Sequence, residues 1–365
     1  MGGAWSRPDR YDIGVVRPRF QPGAECARQW LCGPSGTLPA VSGAEELRWS
    51  PPVGCQHWDQ AVARAHHALA GAARPERGAN EVHWVERAQA PLAPLFHAAA
   101  LAGEDVGTVL SWSHRRDLDA PLSVLGARRA GLAADILTGL ANTGGRELSG
   151  IFSTADSVFA AYRTDAALAA SRQPNFDPDT FVASGDTIYL CAPSSAQALH
   201  APLVVALLDQ IRTAVYRARP YPPVLFALDE VAQVAPLADL PATVAEGGSQ
   251  GLVVMACLQD LSQARARWGT AAEGFLTLFT HKVVLPGIAD LATLQAVSAL
   301  AGEVDVPVRS VTKAHWVSKQ WPTTTWSVRR QARLPVGAVA NFPAGNGLLV
   351  SGTGLSWVAL PPVRA

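Results

Sequence analysis

Apolar residues along the chain fall into two textures. From Trp58 to about Ser171 they recur three and four apart, as in DQAVARAHHALAGAA, EVHWVERAQAPLAPLFHAAALAG and PLSVLGARRAGLAADILTGLA. That spacing keeps one face of a helix apolar, so residues 58–171 are expected to form a helical domain. Pro91 and Pro94 are expected to kink or restart its second helix. From Asn175 the texture changes to short continuous apolar runs separated by helical ones. Strands are expected at 187–191, 224–228, 252–258, 282–285, 347–351 and 356–360. Helices are expected at 201–219, 240–246, 272–279 and 290–301, with Gly247-Gly248 ending the second of these. Unbroken apolar strands alternating with helices imply a mostly parallel sheet covered on both faces, an α/β class. Residues 1–57, rich in Gly, Pro and Arg, read as irregular. The expected domains are therefore 1–57, 58–171 and 172–365.

The run Pro223-Val-Leu-Phe-Ala-Leu-Asp-Glu230 carries the first chemical signal. Ligands of parallel α/β sheets bind beyond the carboxyl ends of the strands, where Asp229 and Glu230 fall. Two charges on a buried strand are costly unless they meet a cation or a reacting water. A Walker B pattern supplies both. Asp229 then holds Mg2+ through water and Glu230 is the candidate base for the attacking water. The bland alternative is an exposed strand end opening a loop. The next strand, LVVMACLQ, ends on Gln259, which is either a γ-phosphate sensor or an amide satisfying a loop.

The stretch LDEVAQVAPLADLPATVAEGGSQGLVVMACLQDLSQARARWG resembles conjugative coupling proteins of type IV secretion systems, the TraG/TraD class. FLTLFTHKVVLPGIADLATLQAVSALAGE continues the likeness into the region named after TraM recognition. RWSPPVGC, SGIFSTADSVFAAY and DTIYLCAP are also similar to members of that class. The resemblance covers about residues 48–360. It implies a RecA-like P-loop NTPase core with ATP and Mg2+ as cofactors and an all-α insertion corresponding to residues 58–171. It further implies a homo-hexamer that moves single-stranded DNA with its relaxase, among relaxosome proteins, into a secretion channel at the inner face of the membrane.

The phosphate cradle of such a motor is G-x-x-x-x-G-K-[ST], whose amides and lysine grip the phosphates. No Gly-Lys-Ser or Gly-Lys-Thr occurs in this sequence, and Gly33-Pro-Ser-Gly-Thr37 lacks the lysine. This predicts no independent ATPase activity. It leaves two readings open: a truncated motor domain, or a non-catalytic module that docks relaxosome proteins or modulates an intact ATPase. Gly247-Gly248-Ser249-Gln250-Gly251 imitates a serine-hydrolase elbow, but it lies between a helix and a strand in the wrong order.

From Val308 to Pro335 the chain has no acidic residue. Arg309, Lys313 and Lys319 interleave there with Trp316, Trp321 and Trp326, a pattern suited to phosphates and unpaired bases. An exposed hairpin packed on a neighbouring subunit is the plainer reading. Arg330 and Arg333 are candidate arginine fingers.

Bulk composition changes little. Hydrophobic residues make up 48% of the 365 and formal net charge is zero, so a core is affordable and no global field favours nucleic acid. Five cysteines without a Cys-x-x-Cys pair argue against a zinc knuckle or a disulfide framework, and fit a reducing cytoplasm. The nine histidines show no ligand spacing. No run of about 18 apolar residues predicts a membrane span.

Overall fold

The computed structural model describes residues 14–16, 28–33, 43–72, 79–191, 196–312, 323–352 and 354–361. Their contacts group into two units. One runs to Leu258 and takes in Ala266–Ala271; the other holds Gln259–Arg265 and the chain from Ala272 onward.

The first unit is built on six strands: β1 (Gly14–Val16), β2 (Gln29–Cys32), β3 (Ala44–Glu46), β4 (Thr187–Leu190), β5 (Val224–Leu228) and β6 (Leu252–Ala256). They lie in the order β3-β2-β4-β1-β5-β6. β2 runs parallel to β3 and β4, and β5 runs parallel to β6. β1 joins the two halves, antiparallel to both β4 and β5. The α/β sheet is therefore present, with one antiparallel strand near its centre. Strands β1 to β3 fall where an irregular segment was expected. Each has only three or four residues, too few to show a period. β6 is the edge strand, and Val253 and Met255 are 44% and 52% exposed on it.

Six helices follow β3: α1 (Trp58–Ala72), α2 (Ala79–Ala102), α3 (Val106–Arg115), α4 (Asp119–Ala127), α5 (Gly131–Ala141) and α6 (Gly145–Ala155). A 3-10 segment, Asp156–Arg163, leads to α7 (Asp165–Ser171). α2 is one continuous helix through Pro91 and Pro94, so the expected restart does not occur. Each proline removes one ladder hydrogen bond, at a cost of about 3 kcal/mol. Leu92, Leu95, Phe96, Ala98 and Ala99 are completely buried along the same turns. At about 1.5–3 kcal/mol for each large side chain, their burial outweighs that cost. Phe96 meets Phe159 edge to face, with ring centroids 6.0 Å apart.

α8 (Pro178–Ala183) precedes β4, and α9 (Gln197–Ala218) follows it. α9 is long and apolar enough, by length and composition, to cross a membrane. Here most of it is buried in the first unit, and it carries Asp209, Gln210 and Arg212. After β5 come α10 (Val231–Val234) and α11 (Leu240–Gln250). α11 continues through Gly247-Gly248 and ends instead at Gly251, where φ is +85°. Any Cβ at Gly251 would stand 2.8 Å from Pro220 Cδ, so both the backbone conformation and the close approach require glycine. Ser249 lies inside α11 and donates to the Glu246 carbonyl, which excludes a strand-to-helix nucleophile elbow.

The division between units falls within α12 (Leu261–Trp268). The second unit contains α13 (Phe275–Leu278), β7 (His281–Val284), α14 (Leu291–Ala301), β8 (Glu303–Thr312), β9 (Thr323–Ala332), α15 (Val336–Ala340), β10 (Asn346–Ser351) and β11 (Gly354–Ala359). Strands β11-β10-β7 form an antiparallel sheet. Its core packs Val284, Leu294, Val297, Val339, Phe342, Leu348 and Val350. Asp290 caps α14 by accepting from the Thr293 N–H at 2.9 Å. β8 and β9 form a separate ribbon of ten register pairs.

Candidate functional site

The carboxyl edge of β5 is built by simple alternation. Val224, Phe226 and Leu228 are buried and fix the strand; Leu225 and Ala227 are half-buried. β6 lies alongside in parallel, Val224 opposite Leu252 and Leu228 opposite Ala256. Pairing continues past both strand ends. Cys257 N–H donates to the Leu228 carbonyl at 2.9 Å, and Val231 N–H donates to the Cys257 carbonyl at 3.2 Å. Asp229 and Glu230 form the turn held between these two bonds.

Glu230 adopts a left-handed conformation, φ 44° and ψ 46°, which costs a non-glycine residue about 1 kcal/mol. It turns the chain directly into α10. The Asp229 carboxylate accepts the N–H of Glu230 at 3.0 Å. Asp229 is exposed and Glu230 half-buried. The two acids therefore stand at the sheet edge, as the sequence implied. The premise that they are buried charges needing a partner does not hold, because the turn lifts Asp229 into solvent.

β6 leads from the same edge towards Gln259, which opens the second unit. Gln259 is exposed, and its backbone N–H donates to the Gln263 side chain at 3.2 Å. Cys257, next to the turn, has its thiol pKa raised by burial and, secondarily, by the Asp229 charge. Burial likewise lifts Cys32 to about 12 and Cys55 and Cys191 to about 11. These thiols stay protonated and inert near neutral pH.

In the second unit, Arg330 Nε lies 3.4 Å from Glu303 and 3.8 Å from Asp305, all three more than half exposed. Arg333 donates its backbone N–H to the Gly302 carbonyl at 2.8 Å. Arg309 stands directly opposite Trp326 across the ribbon. Lys313, Trp316, Lys319 and Trp321 lie outside the described residues, as do residues 34–37 of the cradle-like segment. Among the described residues no group of three His, Cys, Asp or Glu side chains is placed to hold a metal.

A polar constellation that sequence reasoning did not single out lies inside the first unit. Asp209 and Arg212 of α9 are 5% and 12% exposed and joined at 2.7 Å. Arg212 also binds the Asp239 carboxylate, and donates to Thr243 Oγ1 at 2.8 Å. His67 Nε2 of α1 lies 3.1 Å from Asp209, while its Nδ1 is buried without a partner. Burial works against the Arg212 charge, yet Asp209 and Asp239 hold its pKa above the ordinary guanidinium value. The available signal was a charged pair three residues apart inside the apolar run LLDQIR.

Burial also pulls the His67 pKa below 6.5, against the raising effect of Asp209, and does the same at His200. With folded pKa values depressed, the unfolded chain binds more protons as pH falls below about 6.5. Stability is then complete above the unfolded pKa and declines as pH drops towards the folded ones. Thermal midpoints should fall between pH 7.5 and 5.5, and His67→Gln should flatten that slope without removing the His200 share. A pH-independent midpoint would refute this assignment.

Cavities among the described residues of the first unit include a cleft and a small void. A cleft of about 510 Å3 is lined by Trp58, Asp59, Val62, His66, His67 and Gln89. A void of about 20 Å3 lies among Cys32, Leu47, Trp49 and Tyr162. Asp229 and Glu230 line neither.

Residues 223–343, which begin at the proline before β5, match the family model described as the TraM recognition site of TraD and TraG. This region is of the TraD/TraG class. The fold agrees over a wider span. The chain is similar to the bacterial conjugative coupling protein TrwBdeltaN70 in its unbound form, with a TM-score of 0.66 and 18% identity, over 93% of this chain and 79% of that one. It is also similar to TrwB in complex with the GTP analogue GDPNP, with a TM-score of 0.64 and 15% identity, over 100% and 98%. For TrwB in complex with ADP and Mg2+ the values are 0.63 and 16%, over 100% and 97%. No curated protein sequence matches significantly. The mixed α/β, RecA-like fold of these coupling-protein structures is thus the architecture of this chain.

Nucleotide fits this site only in part. Asp229 and Glu230 stand where a cation could be met, but the sequence holds no Gly-Lys-Ser or Gly-Lys-Thr to complete a phosphate cradle.

Proposed function

We propose that the chain serves in conjugation as the substrate-docking core of a coupling protein, linking relaxosome proteins and single-stranded DNA to a type IV secretion channel at the inner membrane face. The match of residues 223–343 to the TraM recognition model carries this reading. Of the two forms left open by the sequence, docking without independent hydrolysis is favoured. Asp229 accepts the Glu230 N–H through one carboxylate oxygen, and no Gly-Lys-Ser or Gly-Lys-Thr is available to grip phosphates. In the motor form Asp229 would hold Mg2+ through water, Glu230 and Gln259 would address the attacking water, and Arg330 and Arg333 would serve a neighbour in a hexamer.

Deleting the gene from its host should lower conjugative transfer at least a hundredfold, with rescue by the unaltered gene. Undiminished transfer would refute the coupling role. Glu230→Gln should rescue as well as the unaltered gene if the chain docks, and should fail if it is a motor. Calorimetric titration of the purified chain with Mg-ATP should give no binding below millimolar concentration; a micromolar Kd lost in Asp229→Ala would restore the motor.

A further inference from the structure

We propose that the outer half of the β8–β9 ribbon is a binding site for an unpaired polynucleotide strand, centred on Arg309 and Trp326. The inference rests on the coupling reading for its biological sense, but stands on the ribbon itself for its evidence.

Register assigns the faces. Opposed residues share a face, and alternate pairs share it with them. One face therefore carries Glu303/Ala332, Asp305/Arg330, Pro307/Val328, Arg309/Trp326 and Val311/Thr324. Charge is sorted along its length. Both carboxylates stand at the base, where Arg330 lies 3.4 and 3.8 Å from them. Beyond Asp305 the chain has no further Asp or Glu to its last residue. The outer half thus has a cation and no acid of its own to neutralise it.

Its apolar surface is as unusual as its charge. Trp326 is 66% exposed and Val328 is 70% exposed. A two-stranded ribbon is marginal in water unless something covers it. Trp326 offers a flat ring, Arg309 a guanidinium directly opposite, and Thr324, in the next pair on that face, a hydroxyl. Bases stack on exposed aromatics, while guanidinium and hydroxyl groups hold phosphate oxygens. A protein partner would favour a continuous apolar core, and here the apolar pairs are interrupted by the arginine. Duplex is disfavoured because its bases offer no free face to the ring.

Fluorescence anisotropy of a fluorescein-labelled 20-residue oligo-dT against the full chain tests the site. The affinity should fall as salt rises. Trp326→Ala should weaken it about tenfold or more, and Trp326→Phe should recover most of that loss. Arg309→Gln should weaken it severalfold and reduce the salt slope by about 0.7. Val304→Thr, on the opposite face, should change nothing. Circular dichroism of each variant confirms that it is folded. Equal affinity in Trp326→Ala and Arg309→Gln, preference for duplex, or failure to bind oligo-dT would overturn the site. So would loss of self-association as the only effect of Trp326→Ala, which would make the ribbon a subunit contact. None of these results would by itself decide the conjugation phenotype, so the two readings fail separately.

Discussion

Arg64→Ala lowers the free energy of unfolding by about 3–5 kcal/mol, measured as a drop in the urea midpoint at unchanged slope. The side chain is 1% exposed. Its Nη1 donates to the Pro51 carbonyl at 3.0 Å and the Val53 carbonyl at 3.4 Å. The guanidinium lies over the Trp49 ring at 5.3 Å, and Trp49 in turn donates to Gln210 Oε1 at 2.7 Å. Arg64 therefore ties the segment after β3 to α1 and, through Trp49, to α9. Truncation removes two charge-assisted hydrogen bonds, leaves the Pro51 and Val53 carbonyls with only Cys55 Sγ and Gln210 Nε2 as donors, and opens a cavity. Arg64→Met should cost roughly half as much, because it restores the volume but not the donors. A loss below about 1 kcal/mol for Arg64→Ala would mean that the loop is held by something else.

Asp209→Ala is the second large effect, about 3 kcal/mol, because it strands Arg212 and His67 in a buried site. Asp239, at 37% exposure, remains beside Arg212 but is partly screened. The informative comparison is Asp209→Ala with Arg212→Met together. Removing both members of a buried pair leaves no orphaned charge on α9, so the double variant should be more stable than Asp209→Ala alone. Additive losses in the urea midpoints would show that the pair contributes through packing rather than charge.

Much of this molecule could be read before folding it. The β5 run from Val224 to Leu228 was exact because five apolar residues are bounded by Pro223 and Asp229. The helical texture from Trp58 onward was equally legible from its spacing. Local rules failed where a distant contact decided the outcome. Gly247-Gly248 looked like a helix end, but α11 runs on until Gly251, where Pro220 leaves no room for a side chain. Pro91 and Pro94 looked like breaks, but burial of Leu92 to Ala99 holds α2 together. β1 and β2 were invisible because their partners, β4 and β5, lie more than a hundred residues away.

At the candidate site, the sequence located Asp229 and Glu230 correctly at a sheet edge. It could not show the left-handed backbone of Glu230, which depends on Val231 reaching back to Cys257. It also missed His67, Asp209, Arg212 and Asp239, because their meeting depends on how α1, α9 and α11 pack rather than on any spacing.

β6 has a practical bearing on handling. Leu252 to Ala256 contains no charge, no proline and no bulge, and among the described residues no strand bonds its outer side. Natural sheets usually guard such a border with lysine or a bend. Without a guard, concentrated material will tend to zip border to border into insoluble ribbons. Keeping the protein dispersed in the cell then calls for another segment to sit along that border.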